Sequence, residues 1–502
     1  MIRAAALWLA ALAVLDASGQ TALRVGSKRF TESYILGEIL VRSVRGAGAS
    51  ATHSQGLGNT GIVLEALRGD SIDVYPEYTG TIAREVLHAE GSPDLAALNA
   101  GLAPLGLAAG IPLGFQDTYA IGMRADEARR LGIAKLSDLA AHREMRLGLS
   151  HEFLGRQDGW PGLAAAYGLQ AAQPTALDHG LAYDALATKR IDATDVYTTD
   201  ARIARDGLVV LEDDRHYFPR YDAVLLHRLD APTRHPAAWK ALAGLEGRLD
   251  TVTMARLNAR AEIDRVPVGD VAAEFLSGRE TAARTGLLDM IFSRESLRML
   301  VQHVALVLGS LAAAIAIGVP LGIAAARRRA LAQPVLAAAG LMQTIPSLAL
   351  LAFLIPLTGT IGVWPATIAL FLYALLPIVR NTYTGLRGVR PGMRQAALAL
   401  GLAPRDILLQ VELPLALPVI LAGIQTAAVV NVGTATIAAF IGAGGFGERI
   451  SQGLALNDHR MLLAGALPSA ALALAFHALF AGLERMLVPR AISTASEATR
   501  PA

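Results

Sequence analysis

The tyrosines are the side chains whose number and placement most favour binding chemistry in this sequence. Nine of the eleven tyrosines lie before residue 230 of the 502-residue chain. A tyrosine ring presents a negative face to a cation, and each desolvated contact of this kind is worth about 0.5–2 kcal/mol. A cation that has no hydrogen to donate must be recognised by such faces and by shape. Tyrosine is also a common half-buried packing residue, so both interpretations stay open at this point.

Other kinds of chemistry are excluded by what the sequence lacks. It has no cysteine, so disulfides, cysteine-based metal sites and thiol catalysis are excluded. The P-loop pattern G-x-x-x-x-G-K-[ST] does not occur, and we expect no ATP hydrolysis by that route. A net charge of +2 without a basic tract predicts no nucleic-acid partner. We predict no cofactor and no metal site, because four histidines lack close ligand spacing: His151, His179, His216 and His227.

The second part of the chain is dominated by long uncharged runs. Each run is near the length that a tilted helix needs to cross roughly 30 Å of hydrocarbon. We therefore expect an all-α membrane domain embedded in a lipid bilayer. Its five predicted spans are 296–326, 334–357, 364–379, 415–435 and 461–480.

A charged stretch, residues 395–414, interrupts these runs and must lie outside the hydrocarbon, because a charge at the bilayer centre costs several kcal/mol. The surrounding excess of arginine places it in the cytoplasm. Five spans then put residues 23–290 outside, and the Arg327–Arg329 triplet, Arg485 and Arg490 inside. The loop 358–363, which contains no Lys or Arg, falls outside. The markers agree on one orientation in the bacterial plasma (inner) membrane.

The N-terminal half has the pattern of an exported α/β protein. Arg3, an apolar core over 4–15 and small residues at 17–19 predict a signal peptide. Short strands and helices then alternate, which is typical of an α/β domain, and we expect two lobes. Predicted strands include 23–26, 72–75, 120–123 and 147–149, and predicted helices include 32–44, 62–67, 136–141 and 183–187. The resulting division is signal peptide 1–20, binding domain 21–280, linker 281–295, membrane domain 296–490 and cytoplasmic tail 491–502.

Residues 23–278 resemble the substrate-binding proteins of the glycine betaine, carnitine and choline uptake family. The segments that carry the resemblance are 26–40 (GSKRFTESYILGEIL), 58–67, 72–81, 117–124, 151–163 and 192–203. The resemblance implies a two-lobed periplasmic-binding-protein fold of type II. It also implies an aromatic cage for a quaternary ammonium group, formed by Tyr78, Tyr119, Tyr197 and Tyr221. Three further matching positions imply recognition of a carboxylate: Lys28, Thr81 and Arg156.

The charged stretch resembles the loop with which ABC-importer permeases of type I dock on their ATPase. The matching residues are Ala396, Ala397, Gly401, Leu413 and Pro414, while Gln395 replaces the leading glutamate of the family pattern. This replacement puts any ion pair of that glutamate in doubt. Gly401 lies between two helical pieces, where a left-handed conformation is easy for glycine. The resemblance implies a separate ATPase subunit and a second copy of this chain in the pore.

The sequence therefore predicts a fused importer subunit that binds a quaternary ammonium solute outside and forms the pore. Glycine betaine is the favoured solute because Arg156 offers a fork suited to a carboxylate. Carnitine, choline and other trimethylammonium betaines stay open as alternatives. A ligand-gated sensor or channel is the alternative from a different class. The docking loop disfavours this alternative, because a channel does not need to bind an ATPase.

Overall fold

The computed structural model describes residues 22–89, 91–169, 173–279, 286–456 and 458–487. The predicted signal peptide, 1–20, and the predicted tail, 491–502, lie outside the described residues, as does Arg490. The chain divides into two compact units. The first unit extends to Arg284 and includes Ala455–Asp458, and the second begins at Thr285.

The strands of the described residues form the sheets of the first unit. The first lobe holds a five-stranded sheet in the order β2-β1-β3-β10-β4, and the second lobe holds a three-stranded sheet, β8-β5-β9, and the pair β6-β7. Along the chain β1 to β10 are Leu23–Gly26, Ala51–Ser54, Val74–Tyr78, Leu107–Gly110, Tyr119–Arg124, Gly148–Ser150, Thr175–Leu177, Ala193–Tyr197, Leu208–Val210 and Ala223–Arg228.

The chain passes between the lobes twice, after β4 and before β10, and these two crossovers touch. Gln116 and Asp222 form an antiparallel bridge, and the amide of Asp117 donates a 3.0 Å hydrogen bond to the carbonyl of Tyr221. Two paired crossover segments form a hinge about which two lobes can close. The α/β two-lobed fold expected from the sequence is confirmed.

Helices cover the outer faces of both sheets. The helix predicted from residue 32 begins one residue earlier, and Phe30 rather than Thr31 is its N-cap. Residues 136–141, predicted as helical, form a 3₁₀ helix. Helices α1 to α13 of this unit are Thr31–Gly46, Thr60–Arg68, Thr79–Thr81, Leu95–Leu102, Ala125–Leu131, His151–Gly155, Trp160–Tyr167, His179–Ala187, Arg202–Arg205, Ala231–Arg234, Pro236–Ala243, Thr251–Glu262 and Val268–Ser277.

The second unit is helical throughout its described residues. Four of its helices are long and apolar enough to cross a membrane, and a bent pair raises the number to five. A short helix, α14, lies within the segment predicted as a linker. Helices α14 to α23 are Leu287–Ile291, Arg294–Arg327, Arg329–Thr344, Ser347–Thr358, Val363–Arg387, Pro391–Ala399, Pro404–Ile407, Leu413–Ala438, Gly447–Ala455 and His459–Leu487.

The second predicted span, 334–357, consists of two helices with a sharp bend between them and is not one continuous helix. Helices α16 and α17 meet at an angle of 101°. Ile345, between them, is extended, with φ −70° and ψ 126°. Pro346 follows, and a proline disfavours the helical conformation in the residue before it. The chain therefore turns where a straight span was expected.

Small residues set the packing of the central helices of this unit. A Cβ on Gly322 of α15 would lie 2.5 Å from the Cβ of Thr382 on α18. A Cβ on Gly423 of α21 would lie 2.5 Å from the Cβ of Asn381, on α18 again. Glycines at these two positions let α15 and α21 approach α18 closely, which is how helices associate where lipid removes the hydrophobic driving force.

Candidate ligand-binding cleft

Three of the four predicted cage tyrosines lie at strand ends, next to the crossovers between the lobes. Tyr78 is the last residue of β3, Tyr197 is the last of β8, and Tyr119 is the first of β5. The register of the antiparallel β5–β8 pair places Tyr119 directly opposite Tyr197. Residues opposite each other in such a pair share one face of the sheet. Tyr221 comes from the second crossover, just before β10.

Tyr119 contacts two of the other three rings, and Tyr78 is joined to this group indirectly. The ring centroid of Tyr119 lies 5.0 Å from that of Tyr197 and 5.7 Å from that of Tyr221. Tyr78 reaches the group through Phe30, whose centroid lies 6.5 Å from the Tyr78 ring and 5.4 Å from the Tyr197 ring. Rings from both lobes thus meet across the cleft, and all four tyrosines are buried.

Phe30 is a cleft residue that our reasoning from the sequence missed. Its backbone is extended, with φ −151° and ψ 160°. Lys28 lies two residues before it, and alternate residues of an extended segment point to the same side. The Nζ atom of Lys28 is 5.8 Å from the Phe30 ring centroid and 5.2 Å from that of Tyr78. An aromatic residue two positions from a predicted ligand-binding lysine was the signal.

The residues predicted to bind a carboxylate lie close to the rings, and Arg156 is already hydrogen-bonded to other side chains. Its Nε donates a 2.8 Å hydrogen bond to Asp158 Oδ1, and its Nη2 donates one of 2.5 Å to Oδ2. Nη2 also donates to Thr81 Oγ1 at 3.2 Å, so Arg156 of the second lobe contacts Thr81 of the first. The Arg156 guanidinium carbon lies 5.2 Å from the Tyr119 ring centroid.

Lys28 is also paired with a carboxylate. Its Nζ donates a 2.7 Å hydrogen bond to Glu77 Oε1 and a 3.4 Å one to Thr60 Oγ1. The Thr60 hydroxyl in turn donates a 2.8 Å hydrogen bond to Glu152 Oε1, across the cleft. A continuous polar network therefore connects the two lobes.

Two carboxylates beside the buried cations, Glu152 and Asp158, have pKa values below their ordinary values. Burial by itself would raise the pKa of Glu152, but Lys28 and Arg156 outweigh it and the pKa lies below its ordinary value. Burial would likewise raise the pKa of Asp158, and hydrogen bonds from Arg156 and Tyr221 lower it instead. The Tyr221 hydroxyl donates its bond to Asp158 Oδ2 at 2.7 Å.

His179 packs against one wall of the cleft. The His179 ring centroid lies 4.4 Å from that of Tyr197, and its Nε2 is 3.0 Å from Asp200 Oδ2. Burial alone would lower the pKa of His179, but Asp200 and then Asp195 raise it well above its ordinary value. A cavity of about 280 Å³ is lined in part by Phe30, Glu152, His179 and Tyr197. The other predicted site residues do not line it: Lys28, Tyr78, Thr81, Tyr119, Arg156 and Tyr221.

In the second unit, the charged stretch forms a hairpin of short helices. Helix α19 contains Gln395, Ala396 and Ala397, and Leu413 and Pro414 begin α21. Gly401 lies between α19 and α20 with φ +79°, so the expectation of a left-handed conformation is confirmed.

The hairpin exposes several apolar side chains. Leu400 is 80% exposed, and Leu398 and Met393 are about half exposed. The carboxylate of Glu412 lies 3.6 Å from Arg327 Nη2 at the end of α15 and 3.7 Å from Arg394 Nε on α19. These ion pairs join the hairpin to the end of the first long helix.

A two-lobed cleft walled by aromatic rings, on one chain with a bundle of membrane-length helices, defines a solute-binding membrane protein. Residues 21–278 match the family described as the substrate binding domain of ABC-type glycine betaine transport systems, and residues 318–493 match the binding-protein-dependent transport system inner membrane component. The first match covers just over half of the chain. The chain belongs to this family and combines the binding and permease components of an ABC importer in one multi-pass membrane polypeptide.

Individual relatives agree with this division. The osmoprotectant import permease protein OsmW of Salmonella typhimurium is 49% identical over 195 residues, which are 38% of this chain and 91% of that protein. The glycine-betaine-binding protein of Pseudomonas aeruginosa is 35% identical over 292 residues, 55% of this chain and 94% of that protein. A crystal structure of a glycine betaine/carnitine/choline ABC transporter aligns with 28% identity over 51% of this chain and 98% of that one, with a TM-score of 0.43.

Proposed function

We propose that the first unit captures a quaternary ammonium compatible solute outside the membrane, and that the second unit forms the pore through which the solute enters. The observation that carries the proposal is the meeting of aromatic rings from both lobes, Phe30 and Tyr78 on one side and Tyr119 and Tyr197 on the other. Ring faces attract a cation that has no hydrogen-bond donor. A ligand held between two lobes also stabilises their closed arrangement, because there it makes contacts that the open form lacks.

Glycine betaine is the solute that we propose first. Lys28, Thr81 and Arg156 are the groups that would bind its carboxylate, and Arg156 donates a hydrogen bond to Thr81 beside the Tyr119 ring. The name of the Pseudomonas aeruginosa relative supports the same solute.

Choline is a second candidate, and the pairing of the cations favours it. Lys28 is bonded to Glu77, and Arg156 is bonded to Asp158. A carboxylated ligand must share these cations with resident carboxylates, whereas choline needs neither. A relative named as a choline transport permease, from Bacillus subtilis, is 41% identical over 196 residues.

We further propose that a separate ATPase subunit docks on residues 395–414 and that two copies of this chain form one pore. The exposed apolar side chains Leu398 and Leu400, with Met393 just before the stretch, support the first point, because exposed apolar residues on a charged loop are typical of a protein interface. An ATPase that drives import must bind on the cytoplasmic side, and this places the ligand-binding unit outside.

Calorimetric titration of the full chain in lipid nanodiscs tests the solute. The panel contains glycine betaine, carnitine, choline and, as a control without methyl groups, glycine. We expect the methylated ligands to bind and glycine not to bind. Binding of none of the three methylated compounds would contradict the proposal, and stronger binding of choline than of glycine betaine would select the second candidate. Ligand-stimulated ATP hydrolysis after addition of the ATPase distinguishes an importer from a ligand-gated sensor or channel.

A further inference from the structure

Glu32 occupies a buried junction that neither the cage nor the carboxylate-binding residues include. It lies in the first turn of α1, two residues after Phe30, and only 2% of its surface is exposed. Its Oε1 accepts a 2.6 Å hydrogen bond from the Tyr78 hydroxyl. Its Oε2 accepts one of 2.6 Å from the Thr199 hydroxyl and one of 3.0 Å from the Asn258 amide.

These three donors belong to different parts of the binding unit. Tyr78 ends β3 of the first lobe, Thr199 follows β8 of the second lobe, and Asn258 lies on α12. The amide of Thr199 also donates a 3.2 Å hydrogen bond to Asp117 Oδ1 in the hinge. One oxygen of the Glu32 carboxylate therefore accepts a hydrogen bond from the hydroxyl of a predicted cage tyrosine. The other oxygen accepts one from the opposite lobe, beside the hinge.

We propose that Glu32 is a positioning residue that holds the Tyr78 ring in its ligand-binding orientation and couples that orientation to closure of the lobes. The proposal rests on the function proposed above, since it assigns Tyr78 to the ligand site. In the closed arrangement the Glu32–Thr199 bond replaces water on both groups. When the lobes separate, Thr199 leaves and the carboxylate becomes solvated, so the bond favours the closed form.

The surroundings of Glu32 are acidic. The titratable groups that interact with it are Tyr78 on β3, Asp117 in the hinge and Asp200 after β8. Glu262 and His179 interact in turn with Asp200. Burial raises the pKa of Glu32 to about 7, against the hydrogen bonds from Thr199, Tyr78 and Asn258 that lower it.

This pKa gives closure a pH dependence whose sign follows from linkage. A carboxyl whose pKa is raised in the closed form binds its proton more tightly there than when it is solvated. The closed form is therefore favoured at low pH, and the advantage is lost as pH rises through about 7. For one such proton the ligand dissociation constant should rise by up to about tenfold between about pH 6 and about pH 8.

A double-mutant cycle on the full chain in nanodiscs tests the coupling, with affinity for the best ligand of the methylated panel as the measured quantity. Glu32→Ala and Tyr78→Phe should each weaken binding by about tenfold or more, and the double variant should lose little beyond Glu32→Ala alone. Thr199→Val, which removes the hydroxyl that donates to Glu32, should speed ligand dissociation more than it slows association. Additive losses in the cycle would overturn the proposal.

Glu32→Gln keeps the side-chain volume and removes the ionisable group, and its affinity should change less than that of the wild type over the same pH range. A wild-type pH profile that survives unchanged in this variant would overturn the role of Glu32 in closure. Glu38→Gln on the same helix is the matched control, because Glu38 bonds His53 away from the cleft. It should keep both the affinity and the pH profile of the wild type. Absence of binding by the wild-type chain would count against the proposed function itself, since the Glu32 variants are compared with it.

Discussion

The guanidinium of Arg156 and the carboxylate of Asp158 form two parallel hydrogen bonds, of 2.8 and 2.5 Å, in the wall of the cleft. Both side chains are buried. A bidentate pair of this kind fixes the plane of the guanidinium. Asp158 thus orients Arg156 and at the same time takes two of its donors, which leaves Nη1 with only a 3.5 Å contact to Glu152. A ligand carboxylate would approach this less committed edge.

The first prediction concerns ligand charge. Arg156→Ala should weaken glycine betaine binding at least about tenfold more than choline binding, because only the betaine has a carboxylate to pair with the guanidinium. Calorimetry on the full chain measures both. Asp158→Asn is the matched control, because it removes the carboxylate that pairs with the Arg156 guanidinium and keeps the positive charge of Arg156. It should weaken glycine betaine binding less than Arg156→Ala does. Equal losses of affinity for the two ligands would show that Arg156 supports the structure of the lobe and does not bind the ligand carboxylate.

The second prediction separates the tyrosines by what their hydroxyl groups contact. Alanine at Tyr78 or Tyr197 should weaken binding at least about tenfold, because a desolvated ring contact is worth roughly 1–2 kcal/mol. Phenylalanine should be tolerated at Tyr197, whose hydroxyl has only a 3.4 Å contact with that of Tyr119. At Tyr78 it should not be, because Glu32 then loses a buried donor, at a cost of about 1–3 kcal/mol. The reverse order of the two phenylalanine variants would contradict this assignment.

The third prediction concerns the charged hairpin. Gly401→Asp adds a side chain and a charge at a residue with φ +79°, and it should abolish transport and ligand-stimulated ATP hydrolysis while ligand binding stays normal. Gly401→Asn is the matched control, because asparagine tolerates the left-handed conformation and carries no charge, and it should retain more transport. Uptake by cells is measured at equal membrane abundance. Unchanged uptake in Gly401→Asp would count against docking at this hairpin.

The fourth prediction concerns the helix bundle. Asn431 on α21 donates a 3.0 Å hydrogen bond to Ser310 on α15, and both residues are fully buried. Asn431→Ala should lower the unfolding free energy of the bundle by about 1 kcal/mol, since hydrogen bonds between membrane helices are typically worth this much. Thr426→Ala on the same helix should change it little, because Thr426 is exposed and bonds only to its own helix at Ala422. Detergent-resistance assays on the purified chain compare them.

The sequence by itself determined the class of protein and the order of its parts. The span lengths, the arginines that flank them and the charged hairpin are local properties, because a run of apolar residues long enough to cross a bilayer depends on nothing distant in the chain. The strands and helices of the binding unit were also found near their predicted positions, with shifts at their ends such as β3, which begins at Val74 rather than at residue 72. The motifs around Tyr78, Tyr119 and Arg156 identified the family, which the comparisons confirm.

Only the tertiary structure decided which of these residues meet. Tyr119 and Tyr197 are 78 positions apart and become neighbours through the register of β5 and β8. Glu32 and Thr199 are 167 positions apart and are joined by the closure of two lobes. Register and closure arise from contacts between distant segments, whose pairing no local pattern encodes. The pairing of Lys28 with Glu77, 49 positions away, is also decided by the fold. The carboxylate partners of Arg156 are local, because Asp158 and Glu152 lie two and four positions from it.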